Sequence, residues 1–245
     1  MEKNSIRASI VAMLCMGMCF YVGNAGDPSL LQDFCVAVTH PSHSPVFING
    51  KVCKNPKDVE MSDFVYKGFN IPGNTNDNPQ QANATLVDIN HFPGLNTLGV
   101  SFARVDFGPF GLNTPHWHPR GSEIFAVMEG SLYAGFVTTD NKLWDTVINK
   151  GDVIVFPQAL MHFQLNLGDT NAYAIAAFGT QNPGRVEVAS TVFGSNPPIA
   201  FTDVFTKAFQ VGVQDIQHLQ SQFNNETTSL EYGRSILKLL SQKRA

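Results

Sequence analysis

The chain has 245 residues, 43% hydrophobic and 15% charged, the make-up of an ordinary soluble globular protein with one substantial core. Its formal charge of −4, with no basic stripe, excludes nucleic acid as a partner. The 19 Phe, 20 Gly and 14 Pro favour many short strands joined by tight turns over a helical bundle.

Lys3 and Arg7 precede an apolar run over residues 10–22, and small residues follow at Gly23, Ala25 and Gly26. This is the pattern of a secretory signal peptide, residues 1–25, with cleavage near Ala25. The run is too short for a membrane span, which takes about 20 residues. Cys15 and Cys19 fall inside the leader, so a secreted chain keeps Cys35 and Cys53, a pair expected to oxidise. Closing the loop between them, through HPSHSP, contributes roughly 3 kcal/mol on the chain-entropy account. His40 and His43 in that loop have no strand or helix to aim them and read as solvated residues. Asn83-Ala84-Thr85 and Asn225-Glu226-Thr227 are N-glycosylation acceptors in such a compartment, Asn83 the better placed in its polar stretch.

Strands are predicted over 98–107, 123–128, 132–137, 143–148, 153–156, 162–167 and 172–178. In the first, apolar residues alternate at 98, 100 and 102 and resume at 105 and 107, which predicts a bulge or register change near Arg104. Turn chemistry at Glu129-Gly130, Asp140-Asn141, Gly151-Asp152 and Gly168-Asp169 separates most of the others. Short strands at even spacing indicate a β-sandwich or jelly-roll barrel. After residue 199 the period changes, and amphipathic helices are predicted over 203–209, 214–223 and 229–242, the second carrying His218 on one face. The organisation is a leader (1–25), an N-terminal extension (26–68), a β-barrel (69–200) and a C-terminal helical segment (201–245).

Two patterned blocks carry the chemistry. In residues 111–130, His116 and His118 share one face of an extended strand and Trp117 takes the other. A bend through Pro119, Arg120 and Gly121 lets Glu123 return a carboxylate to the same place. In residues 151–166, His162, Gln164 and Asn166 share one face, and Met161, Phe163 and Leu165 the opposite one. Three imidazoles and a carboxylate suit a divalent transition metal, and by ligand type zinc, iron, copper and manganese all fit. The bound ion with one carboxylate retains positive charge, which favours small anions at the remaining positions.

The spacing of His116, His118, Glu123 and Gly130, then of Gly151, Pro157, His162 and Asn166, resembles the paired motifs of the cupin superfamily. Phe110 and Ala159 stand where those motifs carry glycine. Across nearly the whole of residues 26–245, DPSLLQDFCVA, FPGLNTLGVSFARVDF, HPRGSEI, LMHFQLN and FGSNPPI resemble the germin and germin-like proteins of plants. The resemblance implies a mainly β cupin jelly-roll barrel with C-terminal α-helices. It also implies manganese (Mn2+) held by His116, His118, Glu123 and His162, a homohexamer built as a trimer of dimers, and an apoplastic or cell-wall location.

In the true germins, oxalate oxidases, two asparagines near the metal are implicated in holding substrate. One matches Asn113, a candidate substrate contact, and the other falls at Ala103, which has no amide. Many germin-like proteins are manganese superoxide dismutases, so the resemblance implies superoxide dismutation yielding hydrogen peroxide, with oxalate oxidation as the alternative. The third expectation is a metal-stabilised wall, receptor-like or nutrient-reservoir protein without turnover. Lys150-Gly151-Asp152 resembles an adhesion motif, but its last two residues are already required by the turn that opens the second block.

Overall fold

In the computed structural model, which describes residues 36, 50–196, 198–199 and 201–223, ten strands make two antiparallel sheets. They are β1 (Ala82–Val87), β2 (Ser101–Phe107), β3 (Leu112–Trp117), β4 (Glu123–Glu129), β5 (Ser131–Val137), β6 (Leu143–Asn149), β7 (Val153–Phe156), β8 (Met161–Asn166), β9 (Ala172–Phe178) and β10 (Val186–Glu187). One five-stranded sheet runs β1-β2-β9-β4-β7 and the other β10-β3-β8-β5-β6. Strands distant in sequence pair throughout the middle of both sheets, and the result is the expected jelly roll. The expected leader (1–25), Cys35, His40, His43, Asn225 and the helix expected over 229–242 lie outside the described residues.

Alternation builds the interior. On β9, Ala172, Ala174, Ala176 and Phe178 point inward, and on β8 the inward positions are His162, Gln164 and Asn166. The small alanines at the centre of their sheet leave room for Phe107, Phe125 and Phe156, none of which reaches solvent. Large residues facing small ones is how a two-layer core reaches close packing. Gly130 (φ 88°) joins β4 to β5 and Gly151 (φ 94°) opens β7, both in the left-handed region that glycine enters without steric cost.

Three features differ from the sequence-based expectation. No bulge occurs near Arg104: β2 pairs in unbroken register with β1 and β9 from end to end. The change of phase arises because Leu98 and Val100 precede the strand and Phe102 sits on its exposed outer face, while Ser101, Ala103, Val105 and Phe107 face inward. Arg104 and Asp106, on the outer face, are covered and form a buried ion pair at 2.7 Å. Strands β1 and β10 lacked a strong alternation signal, and each lies at a sheet edge where pairing with one neighbour supplies the order.

The C-terminal region supplies α1 (Val188–Phe193), α2 (Asp203–Phe209) and α3 (Val213–Ser221). α2 matches the predicted span, and α3 is shifted slightly toward the N-terminus. α1, with β-branched residues Val188, Thr191 and Val192, carries no strong helical signal, and its ring contacts from Phe193 to Phe205 and Phe209 (5.8 and 5.7 Å) show tertiary packing overriding propensity.

Candidate metal centre

His116 is the penultimate residue of β3, His118 directly follows that strand, His162 is the second residue of β8 and Glu123 the first of β4. The imidazoles therefore come from one sheet and the carboxylate from the other, and all four side chains are buried. His116 and His162 are direct cross-strand partners, with ring centroids 4.3 Å apart. Glu123 is the register partner of Phe156 on one side and Phe178 on the other. Phe156 stacks on His162 (4.5 Å, 12°), and Phe178 packs edgewise on His118 (4.7 Å). The strand pairing that aims the carboxylate thus also wedges two of the imidazoles.

Each ring is oriented through Nδ1. That atom faces the Thr114 carbonyl in His116 (2.7 Å), the Gly184 carbonyl in His118 (2.5 Å) and the Leu160 carbonyl in His162 (2.8 Å). A carbonyl can only accept, so Nδ1 carries the proton and Nε2 presents a lone pair to the centre. Burial first, and then the positive charge of Arg185, push His116 down to about 2, which keeps the imidazole neutral. Burial by itself would raise Glu123, and positive charge beside it, on the neighbouring imidazoles or on a bound cation, is what favours its ionised form.

These residues fit a cation. Donor atoms from His116, His118, Glu123 and His162 lie within 4.8 Å of one another. Glu123 Oε2 stands 3.1 Å from Nε2 of both His118 and His162, yet Glu123 Oε2 and His162 Nε2 have no hydrogen-bond partner. With protons on Nδ1, these contacts oppose lone pairs, an arrangement that costs energy until a positive centre stands between them. The donor set has nitrogen and oxygen and no sulfur, which suits the harder first-row divalent ions.

Asn113 is brought toward this centre by a feature absent from the sequence reading. β3 pairs with β8 as Asn113↔Gln164 and then as His116↔His162, so one extra residue is absorbed in β3. That bulge turns both Asn113 and His116 inward although they are three apart. Asn113 Nδ2 donates to Gln164 Oε1 (2.6 Å), leaving Gln164 Nε2 buried without a partner. Gln164 shares a strand face with His162, and that parity was the available signal for it. The supporting carbonyl of Gly184, far away in sequence, had none.

Ala103 lies on the inner face of β2, opposite Ala176 on β9, which in turn faces Phe125 on β4. It belongs to the apolar core, with nothing polar beside it in its row. Cys53 is disulfide-bonded, and its expected partner Cys35 is outside the described residues. Asn83 falls within β1, half-buried, with its side chain against Gly73. In the Lys150-Gly151-Asp152 turn, Lys150 pairs with Glu129 (2.9 Å) and Asp152 accepts from the Asn149 amide (2.7 Å).

The two departures from the glycine pattern share one geometry: Phe110 (φ 56°) and Ala159 (φ 62°) both adopt left-handed backbone. The Ala159 amide donates to the His118 carbonyl (3.0 Å), so this strained residue helps join the two ligand-bearing blocks.

Comparison with known proteins is consistent with this geometry. The Cupin family profile matches residues 67–217. Germin-like protein 8-2 of Oryza sativa subsp. japonica is 51% identical, covering 91% of this chain and 100% of its own. Germin-like protein subfamily 1 member 20 of Arabidopsis thaliana is 45% identical, covering 90% and 99%. A solved structure of oxalate oxidase in complex with the substrate analogue glycolate has a TM-score of 0.76 and 44% identity, covering 80% of this chain and 98% of that one.

Proposed function

This chain belongs to the cupin family as one of its germin-like proteins, and from that premise we propose that it is a secreted manganese-binding oxidoreductase acting on a small anion, superoxide foremost. The observation that carries the reading is the pair of buried, partnerless donor atoms in the cluster of His116, His118, Glu123 and His162. A structural ion would need no more than these ligands, but it would not call for a neighbouring buried amide. Gln164 Nε2 is such a group, an unpaired donor on the same strand face as His162.

The chain's residues have separable roles here. His116, His118 and His162 supply neutral nitrogen donors fixed by their carbonyl partners, and Glu123 supplies the one negative charge. Asn113 fixes the orientation of the Gln164 amide, whose N–H is held ready for an oxygen atom of the substrate. Phe156 and Phe178 exclude water from two sides of the cluster. A manganese ion bound there would supply one-electron exchange, so that two superoxide ions and two protons yield O2 and hydrogen peroxide.

Oxalate oxidation is the second reading, favoured by the likeness to the oxalate oxidase structure and by the Asn113–Gln164 amide pair. In that reaction oxalate, O2 and two protons give two CO2 and hydrogen peroxide. Ala103 weighs against it, because a substrate with two carboxylates needs oriented donors and none is offered from that position. A metal-stabilised wall, receptor-like or nutrient-reservoir protein without turnover is the remaining reading.

Secretion to the apoplast rests on the leader pattern of residues 1–25 and on the disulfide at Cys53. Among the described residues no helix is long and apolar enough to cross a membrane. Assembly into a homohexamer is supported by apolar side chains left exposed on the outer face of β2, β4 and β7, namely Phe102, Ile124, Val153 and Val155, and on α2 and α3, namely Val204, Phe209 and Leu219. Glycosylation at Asn83 and Asn225 belongs to the same reading.

The test is to purify the secreted protein, measure its metals by elemental analysis, and assay superoxide dismutation and oxalate-dependent peroxide release side by side. The expected result is about one manganese per chain with dismutation exceeding oxalate turnover. Stoichiometric manganese with neither activity would favour the non-catalytic reading, and a chain that takes up no metal would overturn the whole assignment.

A further inference from the structure

A charged group beside the metal cluster is used by none of the roles above. β10 pairs with β3 so that Val186 lies opposite Trp117 and Glu187 opposite His116. Cross-strand partners share a sheet face, and residues two apart on a strand share it too. Glu187 and Arg185 therefore stand on the face that carries His116 and His118, on the edge strand at the rim of the cluster. The loop before them is clamped: Arg120 bonds the Asn182 carbonyl (2.8 Å) and its side-chain oxygen (2.9 Å), and the Gly184 carbonyl holds His118 Nδ1. Arg185 is the next residue along this fixed backbone.

The pairing of Arg185 is lopsided. Glu187 is well satisfied without it, since Thr114 Oγ1 donates a very short bond to Oε1 and Ser190 Oγ donates to Oε2 at 3.1 Å. Arg185 reaches the same Oε1 only at 3.5 Å and Thr114 Oγ1 at 3.3 Å, both through Nη2. Its Nε and Nη1 make no hydrogen bond among the described residues. The Arg185 side chain is about one-third exposed (35%), so it meets solvent from the strand edge whose register partners are His116 and Trp117. Its charge is felt at His116 and Glu123. Nη2 belongs to both edges of the guanidinium, and its two acceptors are bonded to each other on one side, so its second N–H together with Nε or Nη1 makes a planar fork beside the cluster, a recognition element for oxyanions.

We propose that Arg185 is the anion-positioning residue of this centre, drawing in a small oxyanion and orienting it toward the cluster of His116, His118, Glu123 and His162. The inference rests on the metal-binding reading above and adds the substrate class: superoxide is served by the charge alone, whereas a short carboxylate is also served by the planar fork. Arg185 would thereby offer an oriented donor pair that Ala103 does not.

The experiment uses the full-length, manganese-loaded protein and reads binding rather than turnover. Dissociation constants for azide, a compact monoanion, and for oxalate are measured from changes in the manganese magnetic resonance spectrum. They are compared in wild type, Arg185→Gln and Arg185→Lys, with metal content and melting temperature recorded for each. Arg185→Gln is expected to keep its metal and its melting temperature while weakening oxalate about 10-fold and azide about 3-fold. Arg185→Lys should restore azide but not oxalate, because it returns the charge without the fork. Raising salt should narrow the gap between wild type and Arg185→Gln. Unchanged affinities in metal-loaded Arg185→Gln overturn the proposal and leave the metal reading standing. Loss of metal in Arg185→Gln makes the residue structural and overturns it equally. A wild-type chain that binds no metal removes the underlying reading and the proposal together.

Discussion

Two neighbouring rows of inward side chains, built from the same strands, behave in opposite ways. Ser101, Phe178, Glu123 and Phe156 run across β2, β9, β4 and β7, and two residues further along the strands run Ala103, Ala176, Phe125 and Ile154. The second row belongs to an apolar body that contributes roughly 25 cal/mol for each Å² removed from water. The first faces His118 and His162 and includes a buried carboxylate oxygen with no hydrogen-bond partner, which costs about 1–3 kcal/mol. One barrel thus carries a region that stabilises it beside a region that destabilises it, and a cation held by the four donors would relieve that cost.

Substitutions on either side of this divide should separate the two behaviours. The largest effect is expected from His162→Ala, which removes a donor and the stacking partner of Phe156: metal affinity should fall more than about 100-fold, read by metal content after dialysis. Retention of metal at wild-type level would mean that the ion does not sit in this cluster. On the apolar side, Phe125→Ala should cost about 3–5 kcal/mol in chemical denaturation, since Phe125 has no exposed surface and packs on Phe156. A loss below about 1 kcal/mol would show that the apolar body is not the source of stability.

The polar end should also respond to acid. The folded, metal-free protein resists protonation of His116 down to about 2, whereas the unfolded chain takes up that proton near 6.5. Acid therefore favours unfolding, and stability present above 6.5 is lost progressively as pH falls toward 2, by about 2 kcal/mol between pH 7 and 5. Denaturation midpoints across this range check it, and metal loading should raise stability without removing the loss, because the unfolded chain still takes up its protons and metal affinity itself falls in acid. The smallest effect is expected from Ala159→Gly, which relieves left-handed backbone at φ 62° and should gain about 1 kcal/mol, visible as a rise in melting temperature. A fall there would show that the methyl group contributes packing that outweighs the strain.

Much of this division was readable from residue order. The spans of β7, β9 and α2 match the predicted segments, and β4, β5, β6 and β8 differ only at their ends. Those strands have apolar runs or strict alternation bounded by turn residues, a local signal that needs no knowledge of the partner strand. β1 and β10 were hidden because edge strands owe their order to a neighbour, and α1 because its helix depends on aromatic packing from α2. The phase shift near Arg104 pointed to a bulge, whereas the bulges lie in β3 and β4. In β3, alternation counted from His116 puts Asn113 on the wrong face, and only the actual pairing with β8 shows that both turn inward.

By itself the sequence determined the donor set, because His116, His118, Glu123 and His162 each sit at a position whose face follows from a period of two. It also indicated the barrel, because hydrophobic alternation and turn residues are local properties of the chain. What only the tertiary structure decided is how the donors are held and what stands around them. The Gly184 carbonyl on His118, the orphaned amide of Gln164 and the approach of Arg185 to the rim all depend on which strands lie side by side. Pairing between distant segments is set by the summed packing of the whole barrel, and no window of sequence contains that sum.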